Sequence, residues 1–229
     1  MLPELLTLFH VLSGTLCVGA GGIAFLAPKG RPVHRAAGTV FLVSMLATAL
    51  SGAVIGVLEP ARLLITAFAG LLAAYLVLTG WRTARWRTGR PGGFEWVALV
   101  AILAGTAGLA TLAVLALQTE TGRLLGFAGE DYAMLAMMSA LGAVADLTLL
   151  IRGPLSPRHR IARHLWRMGL AFFIAVGSFF TGPGARVFPE ALRESGLLSL
   201  PEGLTALLIL LFLVRTLFKR SRRDPGAAS

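Results

Sequence analysis

The sequence predicts an all-α fold, an integral membrane bundle of seven transmembrane helices with the N-terminus outside and the C-terminus cytoplasmic. Three observations carry this. The 229 residues are 56% hydrophobic and only 14% charged, where a soluble domain of this size holds about 25% charged residues. Apolar runs lie near 5–27, 36–58, 61–81, 95–117, 132–151, 164–182 and 203–218, each reaching or approaching the ~20 helical residues that cross a hydrocarbon core. Finally, 17 of the 21 basic residues fall in alternate connections, as the positive-inside rule requires of loops on the cytoplasmic side.

Span one opens on "MLPELLTLFH". Glu4 and the lack of a basic start argue against a cleaved signal peptide, so the first helix is expected to stay. His10, Gly14, Cys17 and Gly21 share one of its faces. Cys17 is the single cysteine, which excludes an intrachain disulfide and a C-x-x-C metal pair. The connection to span two carries Lys29, Arg31 and Arg35. On span two, His34, Gly38, Phe41, Met45, Thr48 and Gly52 share a face, and Glu59-Pro60 reads as a tight turn into span three. Helix packing is the plain explanation of both faces.

Span three runs into "WRTARWRTGR" (81–90), where Arg82, Arg85, Arg87 and Arg90 alternate with tryptophan. That pattern reads as an anchor to anionic lipid at the cytoplasmic face. Span five holds Asp146, read as the acid inside a span. Arg152, Arg158, Arg160, Arg163 and Arg167 follow it. The longest connection, about 183–202, precedes a short span seven whose Arg215 must snorkel. Lys219 closes a single domain over 1–219, and Arg220, Arg222 and Arg223 then form a basic cytoplasmic tail over 220–229. The opposite side holds only Arg62, Arg123, Arg186 and Arg193, with Glu4, Glu59, Glu120, Glu130, Asp131, Glu190, Glu194 and Glu202. A net charge of +10 could point to nucleic acid. The charges sit between apolar runs, however, so no nucleic-acid partner is expected.

Placing His34 over His164 aligns "HRAAGTVFLVSMLATALSG" (34–52) with "HLWRMGLAFFIAVGSFFTG" (164–182) without a gap. Thr48 meets Ser178, Ser51 meets Thr181 and Gly52 meets Gly182. The alignment points to spans 1–3 and 5–7 as parallel repeats joined by span four.

The candidate chemistry gathers near the cytoplasmic rim. Asp146 lies six residues before Arg152, roughly 9 Å along the helix axis, on a face with Ser139 and Gly142. A carboxylate inside a membrane is costly and marks a site for a proton or ligand. The structural alternative is an ion pair with Arg163, Arg167 or Arg152. On span six, Arg160, His164, Arg167, Ala171 and Ser178 form a small-polar stripe within about 40° at 3.6 residues per turn. Trp166, Phe172, Phe173, Phe179 and Phe180 lie opposite and are expected to face lipid. His34 and His164, at similar depth on different helices, could hold a haem b as axial ligands or join Asp146 around a metal. Both begin their spans, so meeting headgroup phosphates is the plain alternative. His159, five residues from His164, is off its face. His10 stands alone at its depth. Cys17 and Met45 are soft ligands more simply read as packing. No metal is assigned. "GAGG" (19–22) lacks the context of a nucleotide loop, and nothing supports a Ser-His-Asp triad.

The segment "RHLWRMGLAFFIAVGSFFTG" (163–182), with "HR" (34–35) leading a glycine-containing helix, resembles a group of bacterial multi-pass membrane proteins described only as carrying a domain of unknown function. The resemblance implies a polytopic fold in a bacterial inner membrane, and it implies no activity. The chain is similar to membrane di-haem cytochromes of the b type only in having helices with histidines, and its unpaired His10 departs from them. It shares the span count of zinc hydrolases of the ceramidase and progestin-receptor type. It lacks their paired His-x-x-x-His on the last span.

The expectation is therefore a non-catalytic bundle that binds or passes a small molecule, lipid or proton. Its site would comprise Asp146, His164, Arg163, Arg167 and His34. The alternatives are a b-type haem electron carrier using His34 and His164, and a structural or accessory subunit.

Overall fold

The computed structural model describes residues 2–86 and 91–218. Arg87 and Arg90 of the basic cluster after span three, Lys219 and the basic tail over 220–229 lie outside the described residues. The long helices are α1 (Leu2–Leu26), α2 (Pro32–Leu58), α3 (Pro60–Arg85), α4 (Gly93–Leu117), α5 (Gly129–Arg152) and α6 (Pro157–Phe180). A short α7 (Glu190–Glu194) precedes α8 (Leu200–Phe218). Seven of these are long and apolar enough to cross a membrane, and the chain is a multi-pass membrane protein. Their outer faces expose large apolar side chains such as Leu12, Val43, Val97, Leu141 and Leu207. Lipid satisfies that surface where water would not.

Local chemistry sets the boundaries. Prolines open α2, α3 and α6, where a missing N–H costs nothing. Ser156 caps α6 by accepting from His159 N at 3.3 Å. Glu59 alone separates α2 from α3, the tight turn expected there. At the start of α4 the Glu95 carboxylate accepts from Gly92 N at 2.7 Å, and Asp131 does the same for Ala128 N at 2.9 Å at the start of α5. Between α4 and α5 a two-stranded hairpin pairs β1 (Arg123–Leu124) with β2 (Phe127–Ala128). Its turn residues Leu125 and Gly126 have φ of 48° and 83°, the signature of a tight mirror-image turn.

Packing is sequential along α1, α2 and α3 and along α4 and α5, with α6 laid against α3, α8 and α1. Helices α3 and α6 are therefore the central pair. This overturns the expectation for the aromatic stripe of α6. Phe172 is buried, its ring 5.6 Å from Phe25 and 6.0 Å from Phe41, while Ser178 is exposed. Packing against three neighbours buries Phe172, while Phe173, Phe179 and Phe180 are half-buried. Trp166 is likewise half-buried against the core.

The basic helix ends meet at one end of the bundle. Arg160 Nη1 donates to Trp86 O at 2.6 Å, Arg158 Nη1 to Leu217 O at 3.1 Å, and His34 Nδ1 bonds Ala24 O at 2.9 Å. Each satisfies a carbonyl at the C-terminal end of α3, α8 or α1, where the helix dipole favours positive charge. Lys29 also closes α1 by donating to Phe25 O, beneath the rings of Phe25 and Phe212. Partial burial lowers its ammonium pKa from the ordinary value.

Candidate functional site

The site lies where α3, α5 and α6 meet toward the basic end. Asp146 on α5 is 1% exposed. Arg163 Nη2 donates to its Oδ1, Arg167 Nη2 donates to the same oxygen at 2.7 Å, and Tyr75 Oη donates to Oδ2 at 2.5 Å. The carboxylate thus accepts from two cations and a phenol, which is how an ionised acid survives away from water. Arg152, the third partner considered from sequence, is exposed at the end of α5.

The arginines are anchored beyond Asp146. Arg163 is 7% exposed; its Nε donates to Thr83 Oγ1 at 3.2 Å and its Nη1 to Ala145 O at 3.3 Å. Arg167 is 0% exposed; its Nη1 donates to Thr79 Oγ1 at 2.6 Å, and its Nη2 also reaches Gly142 O at 3.4 Å. The guanidinium carbon lies 5.0 Å from the centroid of the Tyr75 ring and 4.7 Å from that of Trp166. Arg167 Nε is buried with no hydrogen-bond partner among the described residues, a deficit worth about 1–3 kcal/mol for a neutral donor and more for a charged one.

Two glycines allow these approaches. A Cβ on Gly142 would stand 2.9 Å from Tyr75 Cε1 and 3.1 Å from its Oη, so glycine lets the phenol lie along α5. A Cβ on Gly80 would stand 3.2 Å from Arg167 Cβ, so glycine also lets α6 close on α3. The carbonyl of Gly80 accepts from His164 Nδ1 at 3.0 Å.

Neither His34 nor His164 is among the hydrogen-bond partners of Asp146, which are Arg163, Arg167 and Tyr75. Each bonds a backbone carbonyl, Ala24 or Gly80, through Nδ1. Among the described residues no group of three His, Cys, Asp or Glu converges as a metal site. The grouping of both histidines with Asp146 around an ion therefore does not form, because two guanidiniums and a phenol fill the carboxylate's shell. His10 bonds Thr48 O at 3.0 Å and Ser51 Oγ at 3.1 Å, tying α1 to α2. His159 meets Ser156 at the start of α6. Cys17 Sγ lies 3.3 Å from Met45 Sδ in the same apolar seam.

The sequence reading missed Tyr75, Thr79 and Thr83. Their spacing of four along α3 was the available signal, since it puts three hydroxyls on one helix face. It also missed Glu95, which lies inside α4, is 4% exposed and pairs with Arg82. Asp146 is therefore not the only buried acid in a spanning helix. Comparisons with protein-family models, curated proteins and solved structures find no match for this chain.

Proposed function

We propose that this protein sits in a bacterial cytoplasmic membrane with its N-terminus outside and its C-terminus inside, and that it binds or passes a small molecule, lipid or proton through the Asp146 centre. The orientation rests on the basic residues gathered at one end of the bundle, which the positive-inside rule assigns to the cytoplasm. Anionic lipids at that face are the expected partners of its exposed arginines. The parallel repeat of spans 1–3 and 5–7 rests on the sequence pairing alone.

One observation carries the functional reading. An ionised carboxylate, two guanidiniums and a phenol are held together at 0–7% exposure for the three charged groups among otherwise apolar helices. Such a cluster is expensive in a membrane, and an apolar core of the same volume would be at least as stable. Its retention favours a role in handling charge. The test uses the purified full chain in liposomes loaded with a pH-sensitive dye, alongside native mass spectrometry of the same preparation. The reading expects a proton leak, or a retained small molecule or lipid, that Asp146→Asn diminishes. A wild type that behaves as empty liposomes do and carries nothing that depends on Asp146 would overturn it.

A second reading, a b-type haem carrier with His34 and His164 as axial ligands, has one observation in its favour. Bonding each Nδ1–H to a carbonyl leaves Nε2 as the lone-pair nitrogen that an iron would take. A visible spectrum of the purified protein decides it: a Soret band supports the reading, and its absence removes it.

A further inference from the structure

We infer that the Asp146 centre holds a singly charged anion against the Nε edge of Arg167. The inference rests on the proposed reading of the centre as a ligand site and names the class of ligand.

Charge gives the first argument. Arg163 and Arg167 are cations under all ordinary conditions, and Asp146 is the carboxylate that meets both. Tyr75 keeps its proton and donates a hydrogen bond to Asp146, so it adds no negative charge. Of the neighbouring ions, Glu95 faces Arg82 and Arg160 faces the Trp86 carbonyl. Among the described residues the centre thus keeps one positive charge without a counter-charge, at depth, where water cannot screen it.

Hydrogen bonding gives the second argument and points to the same side chain. Both Nη atoms of Arg167 have partners, in Thr79, Asp146 and Gly142, while Nε is buried and has none among the described residues. The ring centroids of Tyr75 and Trp166 lie 5.0 Å and 4.7 Å from its Cζ. The buried nitrogen left for a ligand is Nε. One anion there supplies the missing charge and the missing acceptor together. A dissolved halide and the phosphodiester of an anionic lipid share this chemistry.

Trp166, its ring centroid 4.7 Å from Arg167 Cζ, is a built-in reporter. Full-length protein in nanodiscs of neutral phosphatidylcholine is titrated with bromide, a heavy-atom quencher, at constant ionic strength. Saturable quenching that is absent from Trp166→Phe is expected. Arg167→Lys keeps the charge but loses the planar Nε edge, and should weaken half-saturation about tenfold or more. In nanodiscs containing phosphatidylglycerol, unchanged quenching assigns the site to a dissolved anion, and competed quenching assigns it to a lipid headgroup. Quenching by the wild type that rises linearly without saturation in both lipids overturns the inference, whatever the variants do. An Asp146-dependent proton leak surviving that result would keep the functional reading and remove only the anion.

Discussion

Arg167 Nη2 donates to Asp146 Oδ1 at 2.7 Å with the two side chains 0% and 1% exposed. This contact joins the central helix α6 to α5, and Tyr75 and Thr79 bring in α3. One carboxylate thereby meets side chains from both neighbouring helices, Tyr75 of α3 and the two arginines of α6.

Asp146→Asn should be the most damaging conservative substitution in this region. It leaves two buried guanidiniums without their counter-charge, and breaking a buried pair in this way costs about 3–5 kcal/mol. Tyr75→Phe removes one hydrogen bond and leaves the ion pairs, so it should cost about 1 kcal/mol, near the range for polar contacts between membrane helices. Thermal unfolding of both variants in the same mild detergent checks the order. Equal melting temperatures would contradict it.

Gly142→Ala should behave unlike Gly38→Ala. The first methyl would meet the Tyr75 ring at 2.9 Å, whereas a Cβ at Gly38 meets nothing within 4 Å. Overpacking at Gly142 should destabilise by about 1–3 kcal/mol. The open space at half-buried Gly38 of α2 should let the methyl gain up to about 1 kcal/mol from better helix propensity. Melting temperatures moving in opposite directions are the expected result.

Labelling should divide the connections by side. In a Cys17→Ala background, cysteines at the exposed positions Arg85 and Arg158 should react with an impermeant maleimide from the same face. Cysteines at the exposed positions Glu59 and Arg193 should react from the other face. If positions 85 and 158 are labelled from opposite faces, the alternation of helices is wrong and the charged centre cannot assemble as described.

Much of this architecture was legible in the sequence. The long apolar helices give themselves away because lipid requires about 20 apolar residues in a row. Asp146, Arg163 and Arg167 stand out because charges are rare in such runs. The start of α6 at Pro157, seven residues before its apolar run begins, was not visible to hydropathy. A charged foot continues a helix without raising its hydrophobicity, and that foot carries Arg163 into the core. Tyr75, Thr79 and Thr83 escaped notice because hydroxyl side chains in membrane helices usually satisfy their own backbone, as Thr79 and Thr83 also do here at 2.6 Å and 2.7 Å. The lipid-facing assignment of Phe172 failed for another reason. Amphipathicity separates polar from apolar faces, and in a membrane both lipid and core are apolar.

The most direct measurement of the central claim is a double-mutant cycle between Asp146 and Arg167, run by unfolding in mild detergent with the exposed Arg152 as the control partner on the same helix as Asp146. The Asp146–Arg167 pair should show a coupling energy of about 1–3 kcal/mol, and the Asp146–Arg152 pair close to none. Additive effects of Asp146→Asn and Arg167→Gln would mean that the two charges do not share one buried centre.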